Sequence, residues 1–160
     1  MFDSDDFSAI EFTVTDAGSG VDAATVKALF DGASASHGQI LDMFLLAPGT
    51  HAVNVAAADN LGNATDSTRT FQLHATSASL LSNIERSCTE GLIDKTGTCK
   101  ALSTTLEHAV GKHDDGRHDV EHNQLGAFVS QVEAQRGKSI DVATANRLIA
   151  FAQDLVATNG

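Results

Sequence analysis

The sequence predicts two modules of opposite class, an all-β antiparallel sandwich over residues 1–75 followed by an all-α four-helix bundle over residues 76–160. Three observations predict it. Apolar residues alternate with period 2 in short runs up to His74, and clusters of Gly, Asn and Asp separate those runs. Beyond Leu73 the apolar spacing changes to the three- and four-residue steps of helices.

Taken in order, Ile10-Glu11-Phe12-Thr13-Val14-Thr15 alternates apolar and polar side chains and predicts the first strand. The turn residues Asp16 to Gly20 follow. A second strand is expected from Thr25 to Phe30, stopped by Asp31-Gly32, and a third from Gln39 to Leu45, stopped by Pro48-Gly49. His51 to Ala58 makes a fourth, with Val53, Val55 and Ala57 on one face. Asp59 to Asn63 is another turn, and Asp66 to His74 the fifth strand, with Phe71 and Leu73 inward. Five strands are fewer than the seven of a complete sandwich, so the first eight residues are expected to supply a sixth or the first strand is missing.

Leu80, Leu81, Ile84 and Cys88 share one helical face, with Ser77 or Ser79 as the N-cap. Leu102, Leu106, Ala109 and Val110 repeat that face on a second helix. Val120, Leu125, Phe128, Val129 and Val132 mark a third, ending near Arg136-Gly137. There a glycine serves as the left-handed cap, and Arg136 and Lys138 complement the helix dipole. Asp141 caps a fourth, striped by Ala145, Leu148, Ile149, Ala152, Leu155 and Val156.

A bundle this small has only a few kcal/mol of net stability and needs a staple. Cys88 and Cys99 are the only cysteines and bracket a short Gly-containing loop between the first two helices. An even count in that setting points to a disulfide ahead of two unpaired buried thiols or two ligands of an incomplete metal site. Closing such a loop removes denatured-state entropy worth roughly 2 to 3 kcal/mol.

The net charge is -11, and it is uneven: residues 1–75 hold ten acids against Lys27 and Arg69. A field of that sign repels phosphate backbones and anionic lipid heads, so nucleic acid is not an expected partner, while cations are compatible. No run approaches the roughly 20 apolar residues of a membrane helix. Trp and Tyr are both absent, which argues against a carbohydrate-stacking surface. Five of the eight Phe, namely Phe12, Phe30, Phe71, Phe128 and Phe151, sit at expected core positions. The first residues, Met1 to Asp6, lack a basic and an apolar region, so no secretory signal stands in the chain as given. A disulfide implies an oxidising compartment. The two are reconciled if the chain is a C-terminal piece of a longer secreted protein.

The stretches Phe12 to Val21 and Pro48 to Asn63 (PGTHAVNVAAADNLGN) resemble the bacterial Ig-like modules appended to secreted enzymes and surface proteins. That resemblance implies an Ig-like sandwich in which the Pro-Gly and Asp-x-x-Gly-Asn turns bound a hairpin. Leu125 to Ile140 (LGAFVSQVEAQRGKSI), followed by Ala145-Asn146-Arg147-Leu148-Ile149, is similar to the FIMAH-type helical domain. The FIMAH resemblance implies a module near the C-terminus of an exported bacterial protein, often a large hydrolase. The stretch Gly111 to His118 departs from that pattern in being richer in His and Asp.

Four histidines, His108, His113, His118 and His122, crowd that region, with Asp114, Asp115, Asp119 and Glu121 among them. His118 and His122 stand at i, i+4 on the third helix, a spacing that lets two imidazoles chelate one ion such as Zn²⁺, with Asp119 or Asp115 completing the shell. Solvated surface histidines are the competing reading. The oxygen-rich turns at Asp59, Asn60, Asn63 and Asp66 and at Asp16 and Asp22 offer Ca²⁺ ligands, although turn formation accounts for them without an ion. No nucleophile elbow, phosphate-cradling loop or dinucleotide fingerprint occurs. The expected function is a non-catalytic spacer, brace or anchor whose partner is a catalytic domain of the same polypeptide. A module for polysaccharide or cell surface is the alternative, and a divalent-metal-dependent interaction module a second one.

Overall fold

A computed structural model describes residues 1–158. The chain divides into two compact units, each with pieces that are distant in sequence. One, the β unit, takes residues Phe7–Asp42 and Gly49–Gln72. The other, the helical unit, takes everything described from Leu73 onward together with Met1–Asp6 and Met43–Pro48. The single border expected at residue 75 thus becomes several crossings, because two short segments of the first half bury their side chains among the helices.

In the β unit, β2 (Phe7–Ala9) pairs antiparallel with β5 (Ile40–Asp42). The larger sheet runs β7 (Ala64–His74), β6 (Gly49–Asp59), β3 (Val21–Phe30) and β4 (Ala33–Ala35). Phe30 pairs directly with Ala33, so β3 and β4 are joined by Asp31-Gly32 alone. Both residues have positive φ, 47° and 81°, which is the tight turn whose twist matches that of the flanking strands. The Asp31 carboxylate accepts the Ala52 N–H (2.9 Å) and lies 2.6 Å from His51 Nδ1, fastening the turn to β6. The His51 ring is stacked on Phe30 and lies at a tilt to Phe71. A register shift between Asp22 and Lys27 breaks the β3–β6 ladder.

Two of the expected strands differ. Ile10 to Thr15 is not a strand. Alternation fixes which side chains face inward, but a strand also needs a ladder partner, and here Ile10 alone makes backbone-to-backbone bonds while the Phe12 N–H donates to the His37 ring. The Ile10 N–H donates to the Gln39 carbonyl and its carbonyl accepts from Gly38, while the half-buried Phe12 packs edge-on against His37. The third expected strand stops at Asp42, and Met43–Leu45 forms a single 3₁₀ turn that buries Met43 and Phe44. Phe30 and Phe71 are half-buried rather than central.

In the helical unit, β1 (Phe2–Asp3) pairs in parallel with Leu73 and His74, and the chain then enters α1 (Ser77–Thr89). Thr76, rather than Ser77 or Ser79, is the N-cap: its hydroxyl accepts the Ser79 N–H while the Ser79 hydroxyl accepts the Thr76 N–H. Thereafter come α2 (Thr96–Asp114), α3 (His118–Gln135) and α4 (Val142–Thr158). Leu80, Ile84, Leu102, Leu106, Leu125, Phe128, Val132, Leu148 and Phe151 form the closed core. Of the expected stripes, Val156 is exposed. Phe44 packs against Phe151 with centroids 6.5 Å apart, and the Arg147 guanidinium covers its ring at 5.2 Å. Buried Ser4 is held by Asn83 Nδ2 and the Ser79 hydroxyl. The Cys88 and Cys99 sulfurs are at bonding distance, 2.10 Å, and no free cysteine remains among the described residues. Asp141 caps α4 by accepting the Thr144 N–H, and Gly137, with φ 69°, closes α3 as its sequence position predicts.

Candidate functional site

The histidine-rich stretch between α2 and α3 is built by a helix-stop motif. The Gly116 N–H donates to the His113 carbonyl (2.9 Å) and the Arg117 N–H to the Lys112 carbonyl (2.8 Å), the paired bonds of a Schellman cap. Gly116 supplies the positive φ, 69°, that the cap requires. The chain therefore reverses within three residues, and His113 in the last turn of α2 comes to lie beside His118 at the start of α3, ring centroids 5.2 Å apart.

Both imidazoles meet one carboxylate. Glu121 is completely buried, and its Oε2 lies 3.0 Å from His113 Nδ1 and 3.2 Å from His118 Nδ1. Its other oxygen, Oε1, accepts the hydroxyl of Ser77 at 2.5 Å, the first residue of α1. Three helix ends thus converge on a single side chain. Burial raises the Glu121 pKa, but the Ser77 hydroxyl and the two imidazoles outweigh it, and the group stays below the ordinary glutamate value. Glu121 also lies in the first turn of α3, where the helix dipole favours negative charge.

The ligand atoms of His113, His118 and Glu121 all lie within 4.8 Å of one another. Of the residues picked out by spacing, only His118 belongs to this group. His122 is half-buried on α3, and its Nε2 is buried without a hydrogen-bond partner. Asp119 is exposed in the first turn of α3. Asp115 is the C-cap of α2, where Lys112 Nζ reaches it at 3.2 Å. Glu121 stands in the histidine-rich cluster but spacing does not select it as a ligand, although the signal is present: 121, 125, 128 and 132 follow the helical period, and Glu121, Leu125, Phe128 and Val132 are all fully buried. An acid on an apolar stripe marks a carboxylate that must be satisfied inside the protein.

The oxygen-rich turns use their carboxylates locally. Asp59 Oδ1 accepts the N–H groups of Leu61 and Asn63, and Asn63 Nδ2 donates to Oδ2 at 2.7 Å. These bonds, led by that of the Asn63 side chain, bring the Asp59 pKa down to about 2. Asp16 likewise accepts from Gly18 and Gly20, Asp22 from Ala24, and Asp66 from Asn54. Local turn bonds occupy Asp16, Asp22 and Asp59, whereas Asp66 is held across the β6–β7 pair. Among the described residues no helix is long and apolar enough to cross a membrane.

Comparison with protein families matches residues 77–157 to the FIMAH domain. No curated protein and no solved structure matches the chain.

Proposed function

The chain belongs to the FIMAH domain family, and from that premise we propose that it is a non-catalytic accessory module of a larger exported bacterial protein. In this reading it acts as spacer, brace or anchor for a catalytic domain of the same polypeptide, with an extracellular hydrolase as the expected parent. The helices are read as a four-helix bundle and the β unit as an Ig-like sandwich.

The observation that carries the reading is the family match over the helical unit, since the FIMAH family is a non-catalytic one. Two features support it. The Cys88–Cys99 pair suits an oxidising, extracellular compartment, and the charge of -11 suits a soluble module that avoids nucleic acid and anionic membrane. The test is retention of the full chain on glycan arrays and on purified bacterial cell walls. A spacer retains neither above background. Saturable binding to one glycan class would overturn the reading in favour of a polysaccharide or cell-surface binding module.

A further inference from the structure

We propose that His113, His118 and Glu121 form a binding site for a nitrogen-preferring divalent cation, Zn²⁺ first, with a fourth coordination position open to solvent. The inference is independent of the accessory role, since a module of either kind can carry a metal.

Geometry comes first. Zn²⁺ bonds to imidazole nitrogen and carboxylate oxygen at about 2.0 to 2.1 Å in a tetrahedral shell, which places neighbouring ligand atoms roughly 3.3 to 3.4 Å apart. The two Nδ1–Oε2 separations here are 3.0 and 3.2 Å. An ion therefore enters by parting each imidazole nitrogen from the carboxylate oxygen by a few tenths of an ångström, while the three ligand atoms, all within 4.8 Å of one another, settle to the tetrahedral spacing. To bind the ion each ring turns the lone pair of Nδ1 toward it, so the ring proton of the bound form sits on Nε2, which faces away from the ion.

Preorganisation is the second argument. A metal-ligating carboxylate is itself usually hydrogen-bonded, and such support sets its orientation. Glu121 has it from the Ser77 hydroxyl on the oxygen that the ion does not use. The carboxylate cannot swing into water, because it is completely buried, whereas the His113 and His118 side chains are 50 % and 48 % exposed. The ion thus has a rigid floor and an accessible mouth, and three protein ligands leave one position for water.

Donor type sets the selectivity. Two nitrogens and one oxygen suit Zn²⁺, Ni²⁺ or Cu²⁺, whereas Ca²⁺ and Mg²⁺ need shells of six or more hard oxygens. The bound ion would tie the starts of α1 and α3 to the end of α2, so it is also expected to raise the thermal stability of the helical unit.

The test is calorimetric titration of the untagged, chelator-treated full chain with Zn²⁺, with circular dichroism confirming the fold of each variant. One equivalent is expected to bind. His113→Ala and His118→Ala each weaken binding at least tenfold and together abolish it. Ser77→Ala weakens it about tenfold, the effect of losing an outer-shell partner, and His122→Ala leaves it unchanged. Co²⁺ in place of Zn²⁺ gives the intense visible bands of four-coordination in the parent chain and not in the folded double variant. Three results would overturn the site: no uptake of one equivalent, undiminished binding in the folded double variant, or a His122→Ala loss as large as that of His118→Ala. The last would move the ion to the His118/His122 pair.

Discussion

Phe44 lies in the first half of the sequence, yet its ring is 1 % exposed in the core of the helical unit, stacked on Phe151 and flanked by Arg147 and Arg86. Phe44→Ala removes that ring from a closed site. Truncating a buried Phe to Ala costs 3–5 kcal/mol. The aromatic pair is lost with it, which places Phe44 near the middle or top of the range, at about 4 kcal/mol. Each 1.36 kcal/mol is a factor of ten in an equilibrium, so about 4 kcal/mol is roughly a thousandfold. Hydrogen exchange read peptide by peptide measures this loss where it occurs, because globally protected core amides report the opening of their own unit. Exchange at residues 102–106 and 125–132 is expected to accelerate about a thousandfold or to the unprotected rate. Residues 26–30 and 53–57 of the β unit are expected to change by less than tenfold. Phe44→Leu, which keeps most of the volume, should cost less than about 1.5 kcal/mol. If Phe44→Ala instead exposes the β-unit peptides and spares the helices, the assignment of Met43–Pro48 to the helical core is wrong.

Two further outcomes follow from local geometry. Reducing Cys88–Cys99, or replacing both by Ala, frees a loop of sequence separation 11 and is expected to lower helical-unit stability by about 3 kcal/mol; a change below about 1 kcal/mol in urea melts of the reduced chain would contradict it. Asp59 titrates near pH 2 in the folded chain against about 3.9 unfolded. Its contribution is therefore complete above about pH 4 and is lost as the pH falls toward about 2. Carbon-detected NMR titration checks this, and Asn63→Ala should return the Asp59 midpoint toward its ordinary value; an ordinary midpoint in the parent chain would refute the turn network.

The helices were legible because a helix that buries one face writes a 3.6-residue period into its own sequence. Leu80/Ile84, Leu102/Leu106 and Leu148/Leu155 are read directly, and Asp141 and Gly137 mark ends by their own chemistry. The expected α1 cap, Ser77 or Ser79, falls one or three residues late, because Thr76, Ser77 and Ser79 all carry a hydroxyl that fits the N-cap pattern and only the capping box selects Thr76. In the β unit, the Asp31-Gly32 and Asp59–Asn63 turns were legible, since local hydrogen bonds and positive φ dictate their residue types. The run Ile10 to Thr15 was misread because alternation carries no information about a partner strand.

At the histidine-rich turn, the sequence supplied the residue types and the helix stop, and spacing then selected His118 with His122. Spacing along one helix knows nothing of a neighbouring helix. His113 reaches His118 only because the Schellman turn folds α2 back, and Ser77 meets Glu121 across 44 positions of chain.

By itself, then, the sequence determined where the chain is helical and where it turns, which depend on residues within a few positions of one another, and which two sulfurs can join and that the chain is acidic, which follow from its composition. Tertiary structure alone decided that Ser4 and Phe44 serve the helical core, and that a buried carboxylate gathers two imidazoles and a hydroxyl from three helix ends. Both outcomes depend on which distant surfaces close together to exclude water, and that choice is a property of the packed chain rather than of any local run of residues.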